Sequence, residues 1–335
     1  MGGLVMRRFT RRNLLIGAPA IIGAGGLSMT STSAQESVEA YPSRDLKFIC
    51  AFPAGSGADV YVRFFAERMR PVMKRNIFVE NRAGAIGNLA TTFTARSKPD
   101  GYTMYVHAPS ALAANMHLFK NPPVDVVKEV EVVATICKMS FMLTVHKKSP
   151  VNSVPELVEL LGKKGAKASY GTTAPPGKVA GAWFNKAFGV NPVEIAYRTG
   201  VDTMNDMAEG IVDYVVHDPI HAVSYESSLK ILAISNKERL RVLPDLPTLH
   251  ELGAPNLNAP SWWGAIVPVG MPRPLVEKIN RMWREAVETE ETRQFLAKFG
   301  ADTLSLTPEA AQSQLVQEVK DWADYVKLAN IEPMG

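Results

Sequence analysis

The chain has 335 residues, 46% of them hydrophobic and 21% charged, with 37 lysine and arginine residues against 33 aspartate and glutamate residues. This length and composition allow a large buried core, and we expect more than one domain. The body of the chain contains no run of 18 strongly apolar residues, which excludes a membrane-spanning helix there.

The first 34 residues have the features of an export signal. Four arginines, at positions 7, 8, 11 and 12, precede a mildly apolar segment, and small residues before Ala34 form a cleavage pattern. The run Arg11-Arg12-Asn13-Leu14-Leu15 resembles a twin-arginine signal, with an ordinary secretory signal as the alternative. Without residues 1–34 the chain has 33 basic and 33 acidic residues, so its net charge is zero and implies no basic patch for nucleic acid or lipid. We therefore predict a periplasmic protein with a cleaved signal and no nucleic-acid partner.

Apolar runs and segments of helical periodicity alternate along the remaining chain, which predicts an α/β fold with mainly parallel sheets. The predicted strands are residues 46–52, 76–79, 102–107, one or two within 130–145, 167–171, 193–196, 212–216, 230–235 and 264–267. The predicted helices begin near residues 58, 87, 154, 178, 201, 274 and 308, and the last two close the chain. Ser153 and Thr307 are predicted to cap two of these helices.

Two cysteines, Cys50 and Cys137, both lie inside apolar runs. Export would expose the chain to an oxidising compartment, where a disulfide can form. Cysteines inside strands pair only when their geometry allows it. We therefore predict two buried free thiols that pack as small hydrophobic side chains.

The first predicted strand leads directly into the loop Ala54-Gly55-Ser56-Gly57, which opens a helix. The N–H groups of a first helical turn lack intrahelical partners, and the helix dipole adds positive charge there. Glycine allows an anion to approach the backbone, so this loop is suited to a carboxylate or phosphate. The patterns of a dinucleotide site, a nucleotide P-loop and a nucleophile elbow are all absent. Ser56 and Asp59 have the spacing of a capping pair.

Comparable loops follow other predicted strands, in the segments "VENRAGAIGN", "YGTTAPPGKVAG" and "AYRTGVD". Their recurrence indicates a ligand crevice at the carboxyl ends of the strands. His217 and His221 have the spacing of metal ligands on a helix, but Pro219 interrupts it, so we predict no metal site. The pair Trp262-Trp263 fits either a core position or an aromatic pocket wall.

In chain order, the segments "AFPAGSGAD", "VENRAGAIGN", "KPDGYTMYV", "VHDP", "PDLPTLHELG" and "SWWGAIVPVGMP" resemble those of the extracytoplasmic solute receptors of tripartite tricarboxylate transporters, also called Bug receptors. The resemblance covers residues 41–333. It implies two α/β lobes of the periplasmic binding protein type, formed by residues 41–145 with 260–335 and by residues 146–259. It also implies a monomer that binds a small carboxylate between the lobes and delivers it to a membrane permease, without enzymatic activity or a cofactor.

The resemblance also implies the ligand contacts, by position. They lie in the loop after the first strand, after the third strand, in a second-lobe loop and after a second-lobe strand. These residues are Phe52, Pro53, Ala54, Gly55, Ser56, Gly57, Asp59, Ser110, Thr172, Thr173 and Asp218. Lys178 adds a charge that the family usually lacks, and it fits either a contact to a second acidic group or a solvated surface position. Prolines in the second loop remove backbone donors that the family usually has.

Two other function classes share this fold. A periplasmic enzyme would use Asp218 with His217 or His221, and turnover of the bound ligand would reveal it. A receptor for an ABC-type or sensory system would differ only in its membrane partner. The sequence leaves the ligand open among a dicarboxylate, an aromatic acid and an amino acid.

Overall fold

The computed structural model describes residues 37–172, 175–197, 200–217, 219, 222, 225–254 and 260–335. The predicted export signal, Thr173, Asp218 and His221 lie outside these residues. Within the described ranges, no helix combines the length and the hydropathy needed to cross a bilayer.

Strands and helices alternate as predicted. The strands are β1 (Leu46–Cys50), β2 (Ile77–Asn81), β3 (Thr103–His107), β4 (Val130–Ser140), β5 (Met142–His146), β6 (Ser169–Thr172), β7 (Val193–Ala196), β8 (Tyr214–His217), β9 (Leu229–Ile234), β10 (Pro260–Pro268) and β11 (Asp302–Thr303). The helices are α1 (Gly57–Met73), α2 (Asn88–Ala95), α3 (Pro109–Leu118), α4 (Val126–Glu129), α5 (Val154–Lys164), α6 (Pro175–Phe188), α7 (Gly200–Ala208), α8 (Arg273–Val287), α9 (Glu290–Ala297) and α10 (Pro308–Leu328). Ser153 and Thr307 cap α5 and α10, which confirms both predicted caps.

The strands form two sheets. One has six strands in the order β11-β4-β10-β3-β1-β2, and the other has five in the order β7-β6-β8-β5-β9. Only Phe141 separates β4 in the first sheet from β5 in the second, so the chain passes between the sheets at this residue. This arrangement confirms the predicted two-lobed α/β fold.

Most strands of each sheet run in one direction, four of six in the first sheet and four of five in the second, but both sheets also contain antiparallel pairs. β1 pairs in parallel with β2 and β3, and β6 pairs in parallel with β7 and β8. The pairings of β10 with β3 and β4, of β11 with β4, and of β5 with β8 and β9 are antiparallel. Parallel neighbours need a crossover that returns the chain to the same end of the sheet. β4, β5 and β10 instead flank the passages between the sheets, and so they run against their neighbours.

The carboxyl-terminal part contains three helices where two were predicted. The side chain of Thr289 accepts a hydrogen bond from the N–H of Thr292 and caps α9, so the helical pattern ends at Val287 and restarts at Glu290. The sequence analysis also missed α3. Its buried residues include Leu112, Ala113 and Ala114 in succession, so no amphipathic period marks this helix.

Cys50 and Cys137 are both buried and free, as predicted. Burial raises the pKa of Cys137 to about 12, and its Sγ lies 2.7 Å from Oη of Tyr61. Because the thiolate is the reactive form, we expect neither thiol to react with a disulfide reagent in the native protein. In denaturant without reductant, both should react, as counted by intact mass. An unlabelled chain two hydrogens lighter than its sequence mass would reveal a disulfide and contradict this prediction.

Candidate functional site

β1 and β3 are neighbours whose carboxyl ends meet at one edge of the first sheet. The chain continues from β1 to β2 on one side, whereas β3 lies on the other side of β1. Such a reversal of strand order is a topological switch point, where open α/β sheets bind ligands.

A cavity of about 1010 Å³ lies at this edge. Its lining includes residues from segments that connect the strands of the first sheet and of the second. On the side of the first sheet, the segments that follow β1 and end β3 contribute Phe52, Ser56, Gly57, Ala58, His107, Ala108, Ser110 and Ala111, and β4 and β10 contribute Lys138, Met139, Ser261 and Trp263. The lining on the second-lobe side includes Pro176, Val179, Pro219, Tyr225, Asn236, Lys237 and Glu238. A third side is formed by α10.

A second depression, of about 1170 Å³, lies at the opposite edge of the first sheet. Its lining includes Leu46, Lys47 and Thr103, which belong to the amino ends of β1 and β3. Ligands of open α/β sheets bind beyond the carboxyl ends of the strands. We therefore assign the functional site to the smaller cavity.

The loop between β1 and α1 is organised by the predicted capping pair. Ser56 is the N-cap of α1, and its Oγ accepts a hydrogen bond from the N–H of Asp59 at 3.2 Å. Gly55 has φ of 81°, the left-handed region that favours glycine. Ser56 and Gly57 both line the cavity, so the amino terminus of α1 forms part of its wall. This end of the helix favours an anion.

Asp59 lies behind this loop rather than in the cavity lining, and only 2% of it is exposed. Its Oδ2 accepts hydrogen bonds from the N–H of Gly55 and from Nε of Arg63, both at 2.8 Å. Its Oδ1 accepts from Nδ2 of Asn81 at 2.7 Å, and the same Nδ2 donates to the carbonyl of Phe52 at 2.9 Å. Burial raises the pKa of Asp59, but these hydrogen bonds outweigh it and hold the pKa below its usual value. Asp59 is therefore an ionised group that fixes the loop.

His107, at the end of β3, lines the cavity and was missed by the sequence analysis. It is 4% exposed, and its ring stacks on Tyr105 with centroids 4.8 Å apart. Phe52 and Trp263 lie at centroid distances of 5.4 and 5.6 Å. Burial lowers the pKa of His107 to about 3, so the imidazole is neutral. Its position at a strand end, three residues before Ser110, is the signal that would have identified it.

Both adjacent tryptophans are core residues, and Trp263 lines the cavity as well. Trp262 is fully buried, and its Nε1 donates a hydrogen bond to Oε1 of Glu318 at 2.7 Å. Trp263 lines the cavity. Successive residues of a strand point to opposite faces of the sheet, which separates the two rings.

Two of the second-lobe residues that the sequence analysis selected, Thr172 and Lys178, are paired with one acidic side chain. Oγ1 of Thr172 donates to Oε1 of Glu194 at 2.9 Å, and Nζ of Lys178 lies 3.0 Å from Oε2. The cavity lining includes neither of them, whereas it includes their neighbours Pro176 and Val179.

Among the predicted ligand contacts, the structure brings Phe52, Ser56, Gly57 and Ser110 together in the cavity lining. Pro53, Ala54, Gly55, Asp59, Thr172 and Lys178 lie outside that lining, and their contact with a ligand stays a prediction. In the part of the chain that the structure describes, no group of acidic, histidine or cysteine side chains is arranged to hold a metal.

One face of α10 also lines the cavity, and the sequence analysis did not select any of its residues. They are Gln314, Gln317, Glu318, Asp321, Trp322 and Tyr325. Their spacing of three and four residues places them along one side of a helix. That spacing is the signal that would have indicated a polar and aromatic face.

The fold and the cavity together define a class, the two-lobed solute-binding proteins. The chain matches the tripartite tricarboxylate transporter family receptor over residues 61–330, and it belongs to that family. This confirms the resemblance inferred from the sequence segments.

Known proteins with similar sequences or structures support the same family. Protein BugT of Bordetella pertussis is 26% identical over 313 residues, which cover 92% of this chain and 96% of that protein. A solved structure of an R. palustris protein with adipate is 25% identical, has a TM-score of 0.76, and covers 88% of this chain and 100% of that chain. The periplasmic binding protein BugD is 28% identical with a TM-score of 0.73 and the same coverage. The family is one of periplasmic solute receptors and is not an enzyme family.

Proposed function

We propose that the protein captures a small carboxylate in the cavity between its lobes and delivers it to the permease of a tripartite transporter. One observation carries the proposal: the capped amino terminus of α1, with Ser56 and Gly57, forms part of the cavity wall at the switch point. A similar protein has been solved with adipate, which supports a carboxylate as the ligand class. Closure of the lobes on the ligand would give the state that the permease recognises.

The remaining features of the proposal concern the mature chain. We infer export through residues 1–34, cleavage of that segment, and action as a monomer. We place one lobe in residues 41–140 with 260–335 and the other in residues 142–259. Because β5 pairs within the second sheet, we infer that the first crossing lies at Phe141, a few residues before the expected boundary after residue 145.

The first test identifies the ligand. Mass spectrometry of small molecules released from freshly purified protein is expected to show a carboxylic acid, and adding it back should raise the melting temperature. The recovered compound should keep its mass after incubation with the protein. A changed mass would favour the periplasmic enzyme instead.

Ser110→Phe is expected to weaken binding of the released compound at least tenfold, because the larger ring occupies the cavity that Ser110 lines. Ser313→Phe is the matched control, since Ser313 is exposed on α10 and lines a separate depression. Calorimetry on both variants measures the effect. Wild-type affinity in Ser110→Phe would place the ligand outside this cavity.

A further inference from the structure

The cavity-facing residues of α10, Gln314, Gln317, Glu318, Asp321, Trp322 and Tyr325, form what we call the α10 wall. It contains two carboxyl groups, two amides and two aromatic rings, but no cation. Of the lysines on this helix, Lys320 lines the separate depression, and Lys327 lies 3.6 Å from Asp324 in an ion pair. The charge of the wall itself is therefore negative or neutral.

Glu318 is the buried acidic group of this wall, with 9% of its surface exposed. Its Oε1 accepts hydrogen bonds from Nε1 of Trp262 at 2.7 Å and from Nε2 of Gln314 at 3.3 Å. Its Oε2 has no hydrogen-bond partner among the residues that the structure describes. Burial raises the pKa of Glu318 to about 7, and the charge of Asp321 adds to the effect. Because this oxygen has almost no exposed surface, a ligand that donates a hydrogen bond to it must draw the Glu318 side chain toward the cavity.

The aromatic rings of the wall suit the same kind of ligand group. The rings of Trp322 and Tyr325 are 5.7 Å apart and nearly perpendicular, and Tyr325 also contacts Trp183 on α6 at 5.1 Å. Aromatic faces attract a cation, most strongly where water is excluded. An ammonium group is typically bound where carboxylates lie beside such aromatic faces.

Other titratable groups line the same cavity from other elements. Lys138 belongs to β4, and Lys237 and Glu238 follow β9, while His107 on β3 is neutral. The two lysines would favour a second carboxylate on the ligand. A test must therefore compare pairs of ligands of equal length that share one carboxylate and carry either an ammonium or a second carboxylate at the other end.

We propose that the α10 wall binds an ammonium group, so that the ligand is a zwitterion with its carboxylate at the β1–α1 loop and its ammonium at Glu318 and Asp321. This inference rests on the proposed function and narrows its ligand class from carboxylates in general to amino carboxylates. The ammonium selects the ionised form of Glu318, and binding near neutral pH releases a proton to the buffer.

The experiment compares dicarboxylates with amino carboxylates of equal carbon number by calorimetry at pH 7. The pairs are glutarate with 5-aminopentanoate, adipate with 6-aminohexanoate, and pimelate with 7-aminoheptanoate. The best amino carboxylate is expected to bind at least tenfold tighter than its paired dicarboxylate. Repeating the titration in buffers of different ionisation enthalpy should show release of part of a proton.

Glu318→Gln is expected to weaken binding of the amino carboxylate at least tenfold, to abolish the proton release, and to leave dicarboxylate binding unchanged or stronger. Asp324→Asn is the control, because this carboxylate lies on the same helix with its side chain 85% exposed. It should keep the wild-type preference and proton release. A purely structural role of Glu318 would weaken both ligand classes alike.

Tighter binding of the dicarboxylates, or an unchanged preference in Glu318→Gln, would overturn the inference. Binding of none of these compounds would overturn it as well. The proposed function would fail for a different reason, namely if the purified protein released no carboxylic acid and if no added carboxylic acid raised its melting temperature. The two failures are therefore distinguishable.

Discussion

Replacing Asp59 by alanine is expected to weaken ligand binding at least tenfold and to lower the free energy of unfolding by about 2–4 kcal/mol. The substitution removes the acceptor of three hydrogen bonds, which the N–H of Gly55, Nε of Arg63 and Nδ2 of Asn81 donate to Asp59. The guanidinium of Arg63 is half-exposed and regains water, which keeps the cost below that of a fully buried pair. The loop that carries Ser56 then loses its support, and the ligand must order it on binding.

The matched control for this prediction is Asp45→Ala. Asp45 is exposed before the start of β1, where it accepts two hydrogen bonds from Asn76 at 3.1 and 3.3 Å. Its loss should cost less than about 1 kcal/mol and leave binding unchanged. Calorimetry with the identified ligand and urea denaturation measure both quantities. Wild-type affinity in a destabilised Asp59→Ala protein would show that the loop needs no support from this carboxylate.

The parts of the fold that the sequence predicted are those set by local chemistry. Ser56, Ser153 and Thr307 each precede a helix and accept a first-turn N–H, as their sequence positions indicated. Strand direction was not predictable in the same way. The antiparallel pairings of β5 and β10 depend on where the chain passes between the two sheets, and no local pattern records that passage.

The candidate site likewise has one part that local sequence predicted and other parts that depend on tertiary packing. The β1–α1 loop is continuous in sequence, and its glycines and cap were sufficient to identify it. The α10 wall begins more than 250 residues later and reaches the cavity only through the packing of α10 on the first sheet. The pairing of Thr172 and Lys178 with Glu194 likewise depends on the register of β6 against β7, which places Tyr170 opposite Glu194.

Two titratable groups of the cavity lining, His107 and Glu318, have shifted pKa values. In acid, the two shifts have opposite effects on the free energy of unfolding. Burial lowers the pKa of His107 to about 3 and raises that of Glu318 to about 7. Both shifts keep the side chain neutral, since a buried charge without a partner is costly. As the pH falls from 7, the unfolded chain protonates the histidine, which destabilises the fold. Over the same range the folded glutamic acid retains its proton, which stabilises it.

His107→Phe is therefore expected to make the protein less sensitive to acid. Above pH 6.5, His107 is neutral in the folded and unfolded states, so it contributes no pH dependence there. Below that value only the unfolded state gains a proton, and the wild type loses about 1.4 kcal/mol per pH unit through this residue, or about 5 kcal/mol by pH 3. Phenylalanine keeps an aromatic ring beside Tyr105, Phe52 and Trp263 and cannot titrate.

Urea denaturation of wild type and His107→Phe at pH 7.5, 6.0, 5.0 and 4.5 measures this difference. The unfolding free energy of the variant relative to the wild type should rise by about 3 kcal/mol between pH 7.5 and 4.5. Glu318→Gln gives the opposite comparison, because the raised pKa of Glu318 destabilises the folded wild type as the pH increases from 4.5 to 7. The free energy of unfolding of Glu318→Gln should exceed that of the wild type by about 3 kcal/mol at pH 7.5, and this difference should decrease in acid. A constant difference between His107→Phe and wild type across this range would show that the folded protein accepts a proton on His107, and the cavity floor would then carry a positive charge available to an anionic ligand.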